Sequence, residues 1–317
     1  MTQPGRSCPL HYGYAAAALA AVEALSAETL YLVGGLYGNR QALVEVLRMA
    51  AAEAGPVTIC FNGDFHWFDV DPETFAAVND AVLGRCATRG NVESEISARA
   101  DAGAGCGCAY PSWVDAGTVT RSNAIIDRLR ATARAVPEAG ARLAELPMYR
   151  VAEVGALRIG IVHGDAHSLA GWGFSQEALQ SADAVLEVAA LCERARVGVF
   201  ASSHSCLPVA CMFPLPSGGN GALLNNGAAG MPNFDGTRFG LISRISVCPS
   251  LANSSLYGAR LDGAYLDALP VAYDHEAFER EFSSVWPPGS AAHESYYARI
   301  VNGPDFAPSQ AARAGFA

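Results

Sequence analysis

Four residues of the chain could do metal chemistry from what read as strand ends: Asp64 in "FNGDF", Asn91 in "TRGNVE", His163 in "IVHGD" and His204 in "SSHSC". Together they offer one carboxylate, one amide oxygen and two imidazoles. That mixed nitrogen and oxygen set suits Mn, Fe, Zn or Co; calcium prefers all-oxygen cages, and magnesium fits poorly for the same reason. Each residue also has an ordinary structural reading. An Asp after Gly is a common turn former, and a single His at a strand end is usually a polar residue with its hydrogen bonds satisfied. On residue type alone, Asp64 stands as a ligand or as a turn residue.

The neighbours divide in the same way. His66, Asp165 and His167 sit next to the candidate ligands and read as partners of those ligands, as proton donors, or as solvated loop residues. Trp67, Phe68, Trp172 and Phe174 read as packing, and His11, His275 and His293 have no motif around them. Nine cysteines, an odd number in a chain with no visible export signal, imply mostly reduced thiols. Cys106 and Cys108 in "GCGCAYP" form the local cluster, which reads as a Gly-rich loop or, more weakly, as a metal site.

The elements that must position these residues follow from apolar periodicity. A strand "TLYLVG" (29–34), a Gly-rich turn, a helix over 40–54 and a strand ending before Asp64 make a βαβ unit. "LRIGIVHGD" (157–165) and "VGVFASSHS" (197–205) repeat the pattern, with a helix expected over 176–196 between them. "ALLNNGAAGMP" and "FGLISRISV" read as two further strands. In an α/β sheet the loops after strand ends converge on one crevice, which would bring the four residues together. Residues 94–150 read as an inserted cap with the Gly/Cys loop and a helical stretch over 122–146, and the chain beyond Gly303 is expected to fray.

Composition narrows the partners. The chain has 317 residues, 51% of them hydrophobic, enough for a large core. A net charge of -10 opposes general binding to nucleic acid or anionic membranes, which needs clustered cations. All 21 basic residues are arginine, so lysine chemistry is excluded. With no membrane-length apolar run and no secretory signal, a cytoplasmic protein acting on a small ligand is expected.

The order and spacing of the motifs resemble the calcineurin-like metallophosphoesterase family, whose ordered motifs are roughly D-x-H, G-D, G-N-H-D/E, H and G-H-x-H. The resemblance runs from about Thr29 to Arg244 and takes in "NNGAAGMP" (225–232), similar to that family's N-P-G-S segment. "GGLYGN", "GDFHWFD" and "FASSHSCLP" resemble a bacterial branch of it. The resemblance implies an α/β fold with a central β-sandwich flanked by helices. It places the core at 29–250, with an inserted cap at 94–150, an N-terminal extension at 1–28 and a C-terminal extension at 251–317 packing on the core. It also implies hydrolysis of a phosphate ester, diester or anhydride, or a non-catalytic descendant that keeps the fold.

Carried over position by position, Asp64 matches the metal-bridging carboxylate, and Asn91, His163 and His204 match the other ligands of one divalent transition metal, Mn, Fe or Zn. The other half-site departs from the family: Gly35 stands in place of aspartate, Tyr37 in place of histidine and Cys206 in place of the final histidine. Tyr37 and Cys206 either rebuild a second metal site or leave a single one, and the single site is the reading adopted. Val92 replaces the histidine that assists the leaving group, which leaves the proton donor unassigned, with His66 as a candidate.

Overall fold

The structure is a computed structural model that describes residues 3–98, 103–251 and 255–317. Its strands are β1 (Leu25–Ser26), β2 (Thr29–Val33), β3 (Val57–Asn62), β4 (Cys86–Thr88), β5 (Tyr149–Val154), β6 (Leu157–Val162), β7 (Val199–Ser202), β8 (Val209–Pro214), β9 (Asn220–Asn225), β10 (Gly240–Ser246), β11 (Tyr257–Leu261) and β12 (Ala264–Val271). They form two mixed six-stranded sheets, ordered β1-β5-β6-β7-β9-β8 and β11-β12-β10-β2-β3-β4. The parallel pairs β2–β3, β3–β4 and β6–β7 are those that lead into the site.

The central strands of the two sheets are covered on both faces, so most of their side chains are buried and apolar. Leu30, Leu32 and Cys60 face Ile159, Ile161, Val199 and Ala201 across the sandwich, while their neighbours Tyr31, Val33 and Phe61 turn outward. The outward residues of β2 and β3 are buried by α1 (Arg40–Ala52), α2 (Pro72–Leu83) and their neighbours. Those of β6, β7 and β9, including Phe200 and Leu223, are covered by α6 (Ala182–Ala195). The helix expected over 176–196 starts only at Ala182, after a short 3-10 turn over Ala178–Gln180.

The stretch 94–150 contains α3 (Asn91–Ser97) at its start, then α4 (Ala116–Ala135) and α5 (Pro137–Ala144). The single helix expected over 122–146 is therefore two. Pro137 occupies the first turn of α5 and forces the break at Val136. α4 packs against α2, α3 and, far along the chain, α8 (Ala291–Asn302), which follows α7 (His275–Val285). Beyond the 29–250 span, β11 and β12 complete the second sheet.

The last residues do not fray. α9 (Pro308–Ala311) packs beside β8, Arg313 N–H donates to Ala210 O, and Phe306, Ala311 and Phe316 are buried. No helix among the described residues is long and apolar enough to cross a membrane.

Candidate metal centre

The strand ends converge as expected. Asp64 follows β3, Asn91 opens α3 just after β4, and His163 and His204 follow β6 and β7. All four are buried. His163 Nε2 lies 3.3 Å from Asp64 Oδ2, 3.2 Å from Asn91 Oδ1 and 3.1 Å from His204 Nδ1. Ligand atoms bonded to one ion at about 2.1 Å sit about 3.0–3.4 Å apart in octahedral to tetrahedral geometry, so these spacings fit a common ion. Asp64, His163 and His204 also form a mutually close ligand cluster.

Hydrogen bonds select which nitrogen of each imidazole faces the centre. His163 Nδ1 lies 2.9 Å from Asn62 O, and His204 Nε2 lies 3.0 Å from Cys108 O. A carbonyl only accepts, so each of those nitrogens carries the proton and donates. The lone pairs are left on His163 Nε2 and His204 Nδ1, the two atoms that face each other. Asn91 is turned in the same way: its Nδ2 donates to Cys106 O at 3.0 Å, which aims Oδ1 at His163.

Asp64 is held in place by the backbone around it. It has φ +50, in the left-handed region, directly after Gly63 at φ +74. A Cβ on Gly90 would lie 2.2 Å from Asp64 Oδ1, so only glycine leaves room for the carboxylate there. Val92 N–H donates to Asp64 Oδ1 at 3.1 Å. Behind the loop, the fully buried Glu93 accepts N–H bonds from Asp64 and Gly90 at 2.8 Å and from Phe65 at 3.0 Å. The Gly-Asp pair is thus both a turn and the support of a carboxylate.

The electrostatics suit a cation. Burial alone would raise the Asp64 carboxyl, but the facing His163 and His204 rings and the Val92 N–H outweigh it and hold it below the usual carboxylate range. His163 is raised: burial works against its charge, and Asp64 more than compensates. His204 is pushed down to about 4 by burial and by the neighbouring His163, which keeps it neutral.

Tyr37 and Cys206 line the same cavity as Asp64 and are hydrogen-bonded to each other at 2.9 Å. Both have positive φ, +57 and +62, so three of the residues lining this cavity share the left-handed conformation. A side chain on Gly35 would meet the Tyr37 ring at 2.9 Å. Gly35 therefore leaves open the space that the Tyr37 ring occupies. Burial raises the Tyr37 phenol well above its ordinary value and raises the Cys206 thiol, so both stay neutral at physiological pH.

The cavity over the centre is small, about 30 Å³, and is walled by Trp67, Tyr110, Trp172 and Tyr296 together with Val92, Cys108 and Cys206. Trp67 and Trp172 pack here as walls of the cavity. Phe68 and Phe174 are buried in the core. Tyr296 comes from α8, and Arg299 of the same helix donates to Cys206 O at 2.7 Å, so the C-terminal part helps build the pocket.

His66 is not a proton donor to this cavity. It is fully buried, hydrogen-bonded to Asp69 Oδ2 at 2.6 Å and stacked on Phe75, and it does not line the pocket. Asp165 anchors its own loop by accepting from His167 N and Ser168 N, and the His167 side chain is exposed.

Cys106 and Cys108 are bridged to each other, while the other seven cysteines are free. Seven free thiols of nine agree with the expectation of mostly reduced cysteines. The use of the bridged pair's backbone carbonyls to orient Asn91 and His204 had no signal in the sequence beyond the Gly-Cys-Gly-Cys composition.

Two solved structures carry the same architecture. A metallophosphoesterase from Sphaerobacter thermophilus aligns over 87% of this chain and 100% of its own, at 15% identity and a TM-score of 0.54. A hypothetical protein from Pyrococcus horikoshii OT3 aligns over 88% and 99%, at 13% identity and a TM-score of 0.60. The chain has the metallophosphoesterase fold. No protein-family model matches its sequence, and no curated protein does. Within this fold, the parallel strands deliver one carboxylate, one amide and two histidines to a shared point, the second sheet closing over the first.

Proposed function

We propose that this chain is a metal-dependent hydrolase of a small phosphorylated molecule, a phosphate ester, diester or anhydride, acting in the cytoplasm. Asp64, Asn91, His163 and His204 would hold one divalent transition metal, Mn, Fe or Zn. The observation that carries this reading is the pair of backbone carbonyls, Asn62 O and Cys108 O, that leave His163 Nε2 and His204 Nδ1 facing each other as lone-pair donors. Nitrogens only 3.1 Å apart with both lone pairs directed inward repel unless a cation or a proton lies between them.

When bound, such an ion supplies a water-derived nucleophile at neutral pH and polarises the phosphoryl oxygen. The chain's own residues do the rest. Asp64 balances the ion's charge, and Glu93 fixes the loop that presents it. The aromatic walls limit the water around the phosphoryl group. Burial keeps the phenols of Tyr37, Tyr110 and Tyr296 protonated; all three line the cavity, with Tyr37 hydrogen-bonded to Cys206 and Tyr110 to Ser122, and they are the candidates for the acid that Val92 cannot supply. Tyr37 and Cys206 are hydrogen-bonded to each other, and Cys206 stands outside the Asp64, His163 and His204 cluster, which supports one ion over two.

A second reading, a ligand-binding protein of the same fold without turnover, is favoured by Val92 and Gly35. Metal analysis of purified wild type, Asp64→Asn and His204→Ala, followed by a panel of phosphate monoesters, diesters and anhydrides with Mn, Fe and Zn, separates the readings. The expected result is about one ion per wild-type chain, loss of most of it in both folded variants, and metal-dependent turnover of at least one substrate class. Full occupancy in both variants overturns the ligand assignment. Bound metal without turnover of any class gives the second reading.

A further inference from the structure

We propose that the Cys106–Cys108 bridge is a thiol-controlled clamp on Asn91 and His204, so that its reduction weakens metal binding. The proposal rests on the reading that these side chains hold a metal. One three-residue turn supplies both orienting carbonyls: Cys106 O accepts from Asn91 Nδ2 and Cys108 O from His204 Nε2, each at 3.0 Å. Cys108 O also accepts from Trp172 Nε1 at 2.9 Å, which ties a cavity wall to the same atom. Half of the ligand set is therefore aimed by a segment outside both sheets. A hydrogen-bonding partner of this kind is worth about 10- to 100-fold in metal affinity.

The composition of the turn makes the bridge matter. Gly105 and Gly107 have φ +65 and Ala109 has φ +49, so the native turn alternates cysteines with left-handed positions. Glycines populate both signs of φ freely, and a Gly-Cys-Gly-Cys segment without a cross-link has many alternatives to this arrangement. From behind, the turn is held by Asn123 Oδ1, which accepts from Cys106 N at 3.0 Å, and by Arg130 Nη2, which donates to Gly105 O at 2.8 Å. Those contacts reach its first half; Gly107 N–H donates back to Ala104 O at 3.3 Å and Tyr110 N–H to Gly5 O at 2.9 Å, and the bridge adds a side-chain tie from Cys108 to Cys106.

The chemistry is ordinary thiol–disulfide exchange with a dithiol reductant. Cys106 is fully buried, whereas Cys108 lines the cavity, so attack falls on Cys108 Sγ. A thiolate of the reductant forms a mixed disulfide with Cys108 and releases the Cys106 sulfur, which takes up a proton. The second thiol of the reductant then closes its own disulfide and releases Cys108 as a thiol. Two electrons and two protons pass to the protein, and the reductant leaves as a disulfide.

The test measures zinc or manganese affinity of the full chain by chelator competition in three states: oxidised, reduced by dithiothreitol and desalted anaerobically, and reoxidised. A double variant, Cys106→Ser with Cys108→Ser, accompanies them. Peptide mapping under each condition assigns the bridge to Cys106 and Cys108 rather than to Cys60 and Cys86, whose sulfurs lie 3.1 Å apart. The expected result is an affinity about tenfold or more weaker on reduction, recovered on reoxidation. The serine variant should be weak and indifferent to the reductant, with circular dichroism unchanged throughout. Equal affinity in the oxidised and reduced states, a tighter reduced state, or no 106–108 bridge under oxidant overturns the clamp while leaving the metal site standing. Absence of metal in every state overturns the metal reading itself.

Discussion

At the scale of residues, the centre is a problem of charge. Asp64 is its one carboxylate, His204 is neutral, and His163 takes a proton on Nε2, facing Asp64, below its raised value. Binding a cation at His163 Nε2 expels that proton. His163 is raised above the ordinary histidine value of about 6.5, and Asp64 stays ionised well below that pH. Metal affinity should therefore be flat above the raised His163 value and fall about tenfold per pH unit below it, one proton competing for one site. Chelator competition between pH 5 and 9 checks this; an affinity independent of pH, or one falling as pH rises, contradicts it.

That Asp64, Asn91, His163 and His204 would come together was legible in the sequence because each lies within three residues of a strand end, while their reading as ligands came from the family resemblance. The orienting carbonyls were not legible. Cys108 and His204 are 96 positions apart, and a backbone oxygen has no residue-type signature. For the same reason Trp67 and Trp172 read as packing, since an aromatic wall and an aromatic core look alike in one dimension.

At the scale of elements, the short helix α3 matters more than its seven residues suggest. Its first residue, Asn91, is a proposed ligand, and its third, Glu93, reaches back to the Asp64 loop. Glu93 is raised by burial and by the nearby Asp64 charge, and it persists there because backbone N–H groups from both loops converge on it. Glu93→Gln keeps the shape but replaces one accepting oxygen with an N–H donor that must face other donors. We expect a stability loss of about 1–3 kcal/mol together with weakened metal binding. Denaturant unfolding and metal titration of the variant check both, and a variant as stable and as tightly metallated as wild type removes Glu93 from the account.

The long elements were readable from periodicity: β2, α1 and β3 fall within a few residues of their expected limits. The two-residue β1 and three-residue β4 are too short to show a pattern. The C-terminal tail has no regular apolar pattern, and it is ordered by Phe306, Ala311 and Phe316, whose burial only the tertiary fold reveals.

At the scale of the whole molecule, two sheets from distant parts of the chain are stitched together at the site. Asn62 at the end of β3 donates from Nδ2 to Val162 O in the other sheet, and its own carbonyl accepts from His163 and from Ser203 Oγ. Asn226 makes the matching tie, its Nδ2 donating to Gly34 O and Leu241 O. The centre therefore exists only when both sheets have closed, and a metal bound there stabilises the entire sandwich by mass action. The central claim is the identity of the four donors, and zinc X-ray absorption on the full chain loaded with one equivalent tests it most directly. The account predicts a shell of nitrogen and oxygen at about 2.0–2.2 Å with the outer scattering of two imidazoles; a sulfur shell at about 2.3 Å, or a spectrum without imidazole, would contradict it.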